Sequence, residues 1–113
     1  MQKPNQNEKK LKQTLRALEK SLESQTKNVE LIFQRGYVLY LLRKLESAEA
    51  AFSQALKIKP DFAQAYNARS IVNYDLCNFS DAISDCKHAL NVNPRYKEAL
   101  YNLARSQQKL HQF

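Results

Sequence analysis

The sequence predicts an all-α fold, a stack of antiparallel helix hairpins with about six helices. Three observations carry that expectation. First, the chain repeats with a step of 34 residues. Arg35, Tyr40, Leu42, Ala48, Ala55, Leu56 and Pro60 return one step later as Arg69, Tyr74, Leu76, Ala82, Ala89, Leu90 and Pro94. A fixed period of this length marks an array whose units bury their apolar faces only against their neighbours. Second, each copy holds two stretches with apolar residues at helical spacing, separated by a short polar break. Third, one Gly and three Pro in 113 residues leave little turn chemistry for a sheet, while abundant Leu, Ala, Lys, Gln and Glu favour helix.

The elements follow in order. Residues 1–7 are polar and expected to be disordered, and 8–113 form a single domain. In the segment 8–24, Leu11, Leu18 and Leu22 stand one step before Leu45, Phe52 and Leu56, so it reads as the second helix of an incomplete unit. Residues 8–28 are thus a half repeat or capping helix, with Thr26 where a stop proline would stand. The first full copy, 29–62, has a helix over 29–42 carrying Leu31, Ile32, Leu39 and Leu42, with Asn28 placed to cap it. Its second helix, 45–58, carries Leu45, Ala48, Phe52, Ala55 and Leu56. Pro60 ends it, because proline removes a donor and disfavours helix in the residue before it.

The second copy, 63–96, repeats this plan. Ala65, Tyr66 and Leu76 mark a helix over 63–76. Phe79, Ala82, Ile83, Cys86, Ala89 and Leu90 mark one over 79–92, stopped by Pro94, with Asn78 and Asp81 spaced as an N-terminal cap. Over 97–111, Ala99, Leu100, Ala104 and Leu110 follow the first-helix stripe, and Leu110 to Phe113 align with Leu76 to Phe79. Residues 97–113 are therefore a further half repeat or a C-terminal capping helix.

These residues resemble the tetratricopeptide repeat. Its signature of large, small and aromatic positions is met by Ile32, Gly36, Leu39, Ala48, Phe52, Ala55 and Pro60 in the first copy. Tyr66, Ser70, Asn73, Ala82, Cys86, Ala89 and Pro94 stand at those places in the second. Gly36 and Ser70 fall where a first helix crosses its partner, with Ala48 and Ala82 answering from the other side, since close approach needs short side chains. The resemblance implies a right-handed superhelical stack whose first helices line a concave, protein-binding groove.

Carried over from the family, the groove positions are Phe33, Gln34, Tyr37, Tyr40 and Leu41 in the first copy. Asn67, Ala68, Ile71, Tyr74 and Asp75 follow in the second, then Tyr101, Asn102, Arg105, Gln108 and Lys109 in the last helix. Tyrosines offer contact area at low rotamer cost, and asparagines can hold a peptide backbone. Phe33, Tyr37 and Tyr40 have an alternative place, packed between adjacent repeats. Asn102 and Arg105 are the residues expected to be exposed for recognition. A subset of the family grips the acidic tails of heat-shock chaperones with a Lys/Asn/Asn/Lys/Arg clamp. The matching residues here are Phe33, Tyr37, Ala68, Glu98 and Asn102, or, with the frame shifted by one repeat, Gln34, Gln64 and Ala68; neither set carries the required charge, which argues against that ligand.

Charge and chemistry narrow the function further. The net charge of +7 lies mostly in residues 1–28, where seven Lys/Arg face three Glu. Lys9, Lys10, Lys12, Arg16 and Lys20 give a reading of nucleic-acid contact, but they spread around more than one face with no aromatic residue among them. No apolar run reaches the ~20 residues that cross a bilayer, and no secretory leader is evident, so a cytoplasmic place is expected. Cys77 and Cys86 make no disulfide framework. Cys86 stands where the other copy has Phe52, as a small core residue. Cys86 and His88 point to different faces, and Asp81 and Asp85 are expected to serve helix-start electrostatics in solvent. No metal or cofactor site and no enzyme chemistry is expected. The function read from the sequence is a scaffold or adaptor that binds a partner protein or peptide; the alternative is a self-associating, homo-oligomeric repeat fragment.

Overall fold

The computed structural model describes residues 5–112. They form six helices: α1 (Gln6–Ser24), α2 (Val29–Leu41), α3 (Leu45–Ile58), α4 (Ala63–Asp75), α5 (Phe79–Val92) and α6 (Lys97–His111), with no strand among the described residues. Of the segment 1–7 expected to be disordered, residues 1–4 lie outside the described ones, as does Phe113. Gln6 and Asn7, however, are helical. α1 starts early because the Asn5 side chain accepts the Glu8 N–H at 2.7 Å, satisfying a donor that the first turn leaves open. Asn28 caps α2 in the same way, accepting the Leu31 N–H at 3.2 Å. Asn78 stands at the N-cap of α5 but its side chain makes no cap bond. Its ψ of 70° departs from the extended backbone of Asn5 and Asn28. α3 and α5 end at Ile58 and Val92, just ahead of Pro60 and Pro94.

The two tight turns were not legible as such. α2 and α4 each close with a 6→1 bond, Lys44 N–H to Leu39 C=O at 2.9 Å and Asn78 N–H to Asn73 C=O at 2.8 Å. Beside each lies a 5→2 bond, Arg43 N–H to Tyr40 C=O and Cys77 N–H to Tyr74 C=O. This closure puts one residue in the left-handed region, usually a glycine. Here it is Arg43 at φ 62° and Cys77 at φ 63°. The turn therefore repeats with the same step as the helices, and ends α2 and α4 one residue before the expected boundary.

The helices stack in sequence order. α2 pairs with α3, α4 with α5, and each helix from α1 to α5 meets the one that follows it; α4 touches α2 and α6 besides, whereas α1 closely approaches α2 alone. Leu15, Leu18, Val38, Leu39, Ala48, Ala51, Phe52 and Val72 form one buried cluster across α1 to α4. Ile32, Ala55, Leu56, Phe62 and Ala65 form a second. Leu15 had escaped the sequence pattern because its counterpart one step later is Glu49. Ala48, Ala55, Ala82, Cys86 and Ala89 are wholly inaccessible, and burial pushes the Cys86 thiol up.

The close crossing of α2 and α3 is governed by Gly36. A Cβ on Gly36 would lie 2.7 Å from Cε1 and 2.9 Å from Cδ1 of Phe52, nearer than atoms pack. The missing side chain thus makes room for an aromatic ring, rather than only for Ala48. In the next hairpin the equivalent neighbours are Ser70 and Cys86, both buried, with the Ser70 hydroxyl donating to the Asn67 carbonyl at 2.6 Å.

Two outcomes follow for stability. Gly36→Ala gains helix propensity but overpacks Phe52, for a net loss of about 1 kcal/mol; in a Phe52→Leu background the same change costs nothing. Cys77→Gly relieves the left-handed residue and stabilises by about 0.5–1 kcal/mol. Urea unfolding midpoints at constant m-value check both.

Candidate protein-binding groove

α2, α4 and α6 lie side by side, α4 between the other two. Helical spacing puts the expected groove residues on one face of each. The structure divides them into residues that hold the three helices together and residues that stand free of them.

The seam between α2 and α4 is polar. The Tyr40 hydroxyl donates to Asp75 Oδ2 at 3.0 Å, and Arg43 Nη1 donates to the same oxygen at 3.1 Å. The Arg43 guanidinium lies over the Tyr40 ring, 5.5 Å from its centre. Burial and the Asp75 carboxylate hold the Tyr40 phenol above its ordinary value, so it stays a donor. The seam between α4 and α6 is an amide pair: Asn102 Nδ2 donates to Asn67 Oδ1 at 2.9 Å, with both side chains buried. Beside it the Arg105 guanidinium lies 3.9 Å from the centre of the Tyr74 ring and 5.7 Å from that of Tyr101. Arg105 Nε is buried with no hydrogen-bond partner among the described residues.

This corrects one expectation. Asn102, expected to be exposed for recognition, is 6 % exposed, because each buried amide supplies the partner the other needs. Arg105 is half-buried. Phe33 takes the alternative place: it is half-buried with its ring 5.5 Å from Phe52 and 4.9 Å from Phe62. Tyr40, Tyr74 and Asp75 are likewise partly buried in the seams, and Ala68 and Ile71 are half-buried on α4. What projects is Tyr37 at 52 %, Leu41 at 43 % and Tyr101 at 66 % exposure, with Gln34 and Gln108 beside them.

A second polar cluster was missed. Asp85, expected in solvent, is 3 % exposed, while Asp81 does lie in solvent. Arg69 donates from Nε to both Asp85 oxygens at 3.1 Å and from Nη2 to Oδ1 at 2.7 Å, and Asn73 Nδ2 adds a bond to Oδ2 at 3.0 Å. Arg69 Nη1 also donates to Ser53 Oγ at 3.0 Å, which donates to Glu49 at 2.9 Å. Burial pushes the Asp85 carboxyl up, and Arg69 and Asn73 pull it back. The cluster ties α4 to both α3 and α5, on the face of α4 turned away from Asn67, Ile71 and Tyr74. The signal was the recurrence of Arg35 and Arg69. Its reading was obscured because the partner changes, Arg35 pairing at 3.6 Å with Glu19 on α1.

Elsewhere, Lys9, Lys10, Lys12, Arg16 and Lys20 are exposed along α1, with Lys12 paired to Glu8 at 3.2 Å. His88 is exposed and stacks on Tyr66 at 5.0 Å, whereas Cys86 is buried. No helix of the described residues is long and apolar enough to cross a membrane.

The model of the family described as tetratricopeptide repeat matches residues 29–62, the α2–α3 hairpin and the turn that follows it. The chain carries this repeat and folds as that family does. A TPR repeat-containing protein of Rhizobium etli is 37% identical over 51 residues, covering 45% of this chain and 25% of that relative. The match thus spans only a quarter of the curated relative's length. Among solved structures, the first TPR of Spaghetti (RPAP3), bound to the HSP90 peptide SRMEEVD, superposes with a TM-score of 0.88 at 22% identity. It covers 93% of this chain and 83% of that one. The second TPR domain of human RPAP3, in complex with the HSP70 peptide SGPTIEEVD, gives 0.83 at 21% identity over 89% and 84%. At these identities the likeness is one of fold. In this TPR fold the hairpins are set by Gly36, Ala48, Ala82 and their buried neighbours, and α2 and α6 supply the exposed tyrosines.

The buried cluster gives a direct check. Asp85→Ala strands Arg69 and Asn73 and destabilises by about 3 kcal/mol, whereas Asp81→Ala, one turn earlier and exposed, stays within about 0.5 kcal/mol. Chemical denaturation of the two variants side by side reads the difference.

Proposed function

We propose that the chain is a protein-interaction module, a scaffold or adaptor that holds a peptide or helix of a partner protein across α2, α4 and α6. The observation that carries this reading is the exposure of Tyr37, Leu41 and Tyr101 on a face whose other aromatic residues are tied down. Large aromatic and aliphatic side chains anchored on a rigid face are what a partner buries at a binding hot spot. Gln34 and Gln108 supply amide donors and acceptors at the rim, and Ile71 and Ala68 form the floor between them. Residues 63–96 act as a second repeat, with α1 and α6 as half repeats or caps. TPR folds generally mediate protein association rather than catalysis, and the reading here is of a binding module working in the cytoplasm.

The ligand chemistry differs from that of the two peptide-bound neighbours. Both of those hold peptides ending in Glu-Glu-Val-Asp. Here Phe33 packs on Phe52 and Phe62, and Asn102 is spent on Asn67. Neither presents a cation. The exposed face favours a partner segment with apolar or aromatic side chains over an acidic tail.

The test is affinity capture from the native host with mass spectrometry, comparing wild type with Tyr37→Ala and Tyr101→Ala. Each substitution lowers affinity about tenfold, a hot-spot loss of roughly 1–2 kcal/mol, with helicity unchanged. Equal recovery by wild type and the double variant, with the fold intact, removes the groove as the binding surface.

A further inference from the structure

The two seams of the groove share one plan, but in the second a lysine stands where the first has a carboxylate. Between α2 and α4, Asp75 Oδ2 accepts from the Tyr40 hydroxyl at 3.0 Å and from Arg43 Nη1 at 3.1 Å, and the same guanidinium lies over the Tyr40 ring. Counting on by 34, Tyr40 becomes Tyr74, Asp75 becomes Lys109 and Arg43 becomes Cys77. The tyrosine therefore returns between α4 and α6 without its aspartate. A guanidinium returns as well, from a different position. Arg105, one turn before Lys109, lies 3.9 Å from the centre of the Tyr74 ring, closer than the 5.5 Å of Arg43 over Tyr40. The phenol and guanidinium donors are thus present in both seams, and the carboxylate acceptor in one.

The cations of the second seam are also unmatched. Arg43 is ion-paired with Asp75, whereas neither Arg105 nor Lys109 has an ion pair among the described residues. Arg105 is half-buried against the rings of Tyr74 and Tyr101, and its Nε has no hydrogen-bond partner. An aromatic face meets the charge of a guanidinium but leaves the N–H groups in its plane open. Lys109, also half-buried, follows at i+4 on the same face of α6.

We propose that the α4–α6 seam seats one aspartate or glutamate side chain of the partner segment, in the place that Asp75 fills in the α2–α4 seam. This rests on the groove reading above and adds to it the chemistry of the ligand. The Tyr74 hydroxyl and the Arg105 guanidinium donate to the incoming carboxylate, as Tyr40 and Arg43 donate to Asp75, and Lys109 adds its charge. Tyr101, exposed beside Arg105, offers a surface for an apolar neighbour of that carboxylate. Arg43 is already matched by Asp75, so the α2–α4 seam offers a second carboxylate no free cation. The seat therefore selects a single acid among apolar residues, not an acidic run. It shares no residue with the chaperone-tail clamp positions Phe33, Tyr37, Ala68, Glu98 and Asn102.

Two peptides with blocked ends test this, acetyl-Ser-Leu-Tyr-Ser-Asp-Leu-Tyr-Ser-amide and the same sequence with Asn for Asp. Each is titrated into the full chain and followed by nitrogen-15 NMR, with the Arg105 Nε–H signal as reporter. The Asp peptide is expected to shift that signal and to bind about tenfold more tightly than the Asn peptide. The preference shrinks as salt is added. It disappears in Arg105→Gln, and also in Lys109→Asp, which sets a carboxylate of the chain itself at the register place of Asp75; circular dichroism confirms that both variants fold. Equal binding of the two peptides, a preference that survives either substitution, or no response to either peptide at millimolar concentration overturns the proposal. Tyr37→Ala, on α2 and away from the seat, separates this proposal from the groove reading. A groove without the seat gives two peptides that bind alike and are both weakened by Tyr37→Ala. A seat without the groove gives an Asp preference and an affinity that Tyr37→Ala leaves unchanged.

Discussion

The architecture depends on how closely a first helix can approach its partner. At Gly36 that approach is set by the absence of one carbon atom: the Phe52 ring occupies the space a Cβ would need. One hairpin later the same crossing is made by Ser70 and Cys86, each smaller or larger than its counterpart in the compensating direction. The sum of the two side chains is what the helix separation tolerates, and neither can change alone without moving the backbone. Every later feature inherits this spacing. The seams between α2, α4 and α6 depend on the hairpins nesting this closely.

Those seams in turn decide which tyrosines can meet a partner. Tyr40 is held by Asp75, and Tyr74 is covered by the Arg105 guanidinium. Their rings are fixed before any ligand arrives, so binding need not order them. Tyr37 and Tyr101 stand proud of the surface, although the Arg105 guanidinium also comes within 5.7 Å of the Tyr101 ring centre. The face is thus a held aromatic base with a few exposed side chains above it. This division of labour rests on polar bonds between neighbouring repeats, and the amide pair Asn67–Asn102 extends it to the last helix.

The helices were legible because the information that specifies them is local and repeated. Apolar stripes, Pro60 and Pro94, and the 34-residue step determine element type and order without reference to distant residues. Partnerships across elements were less legible. Asp85 looked like a first-turn carboxylate until Arg69 and Asn73 came within bonding distance from α4. Asn102 looked exposed because its partner lies 35 residues away in Asn67. Arg43 and Cys77 gave no warning of a left-handed backbone, since the turn they occupy ordinarily asks for glycine. In each case a polar or conformational need was met by a residue whose type alone does not announce it.

The stacking order has a mechanical corollary. The backbone of α1 closely approaches that of α2 alone, while α4 closely approaches four other helices. In a quasi-linear array, cohesion is the sum of nearest-neighbour contacts, so it is greatest in the middle and weakest at the rim. The molecule therefore loosens from its outer helices inward: α1 can peel away and re-dock while the α4–α5 pair keeps its shape.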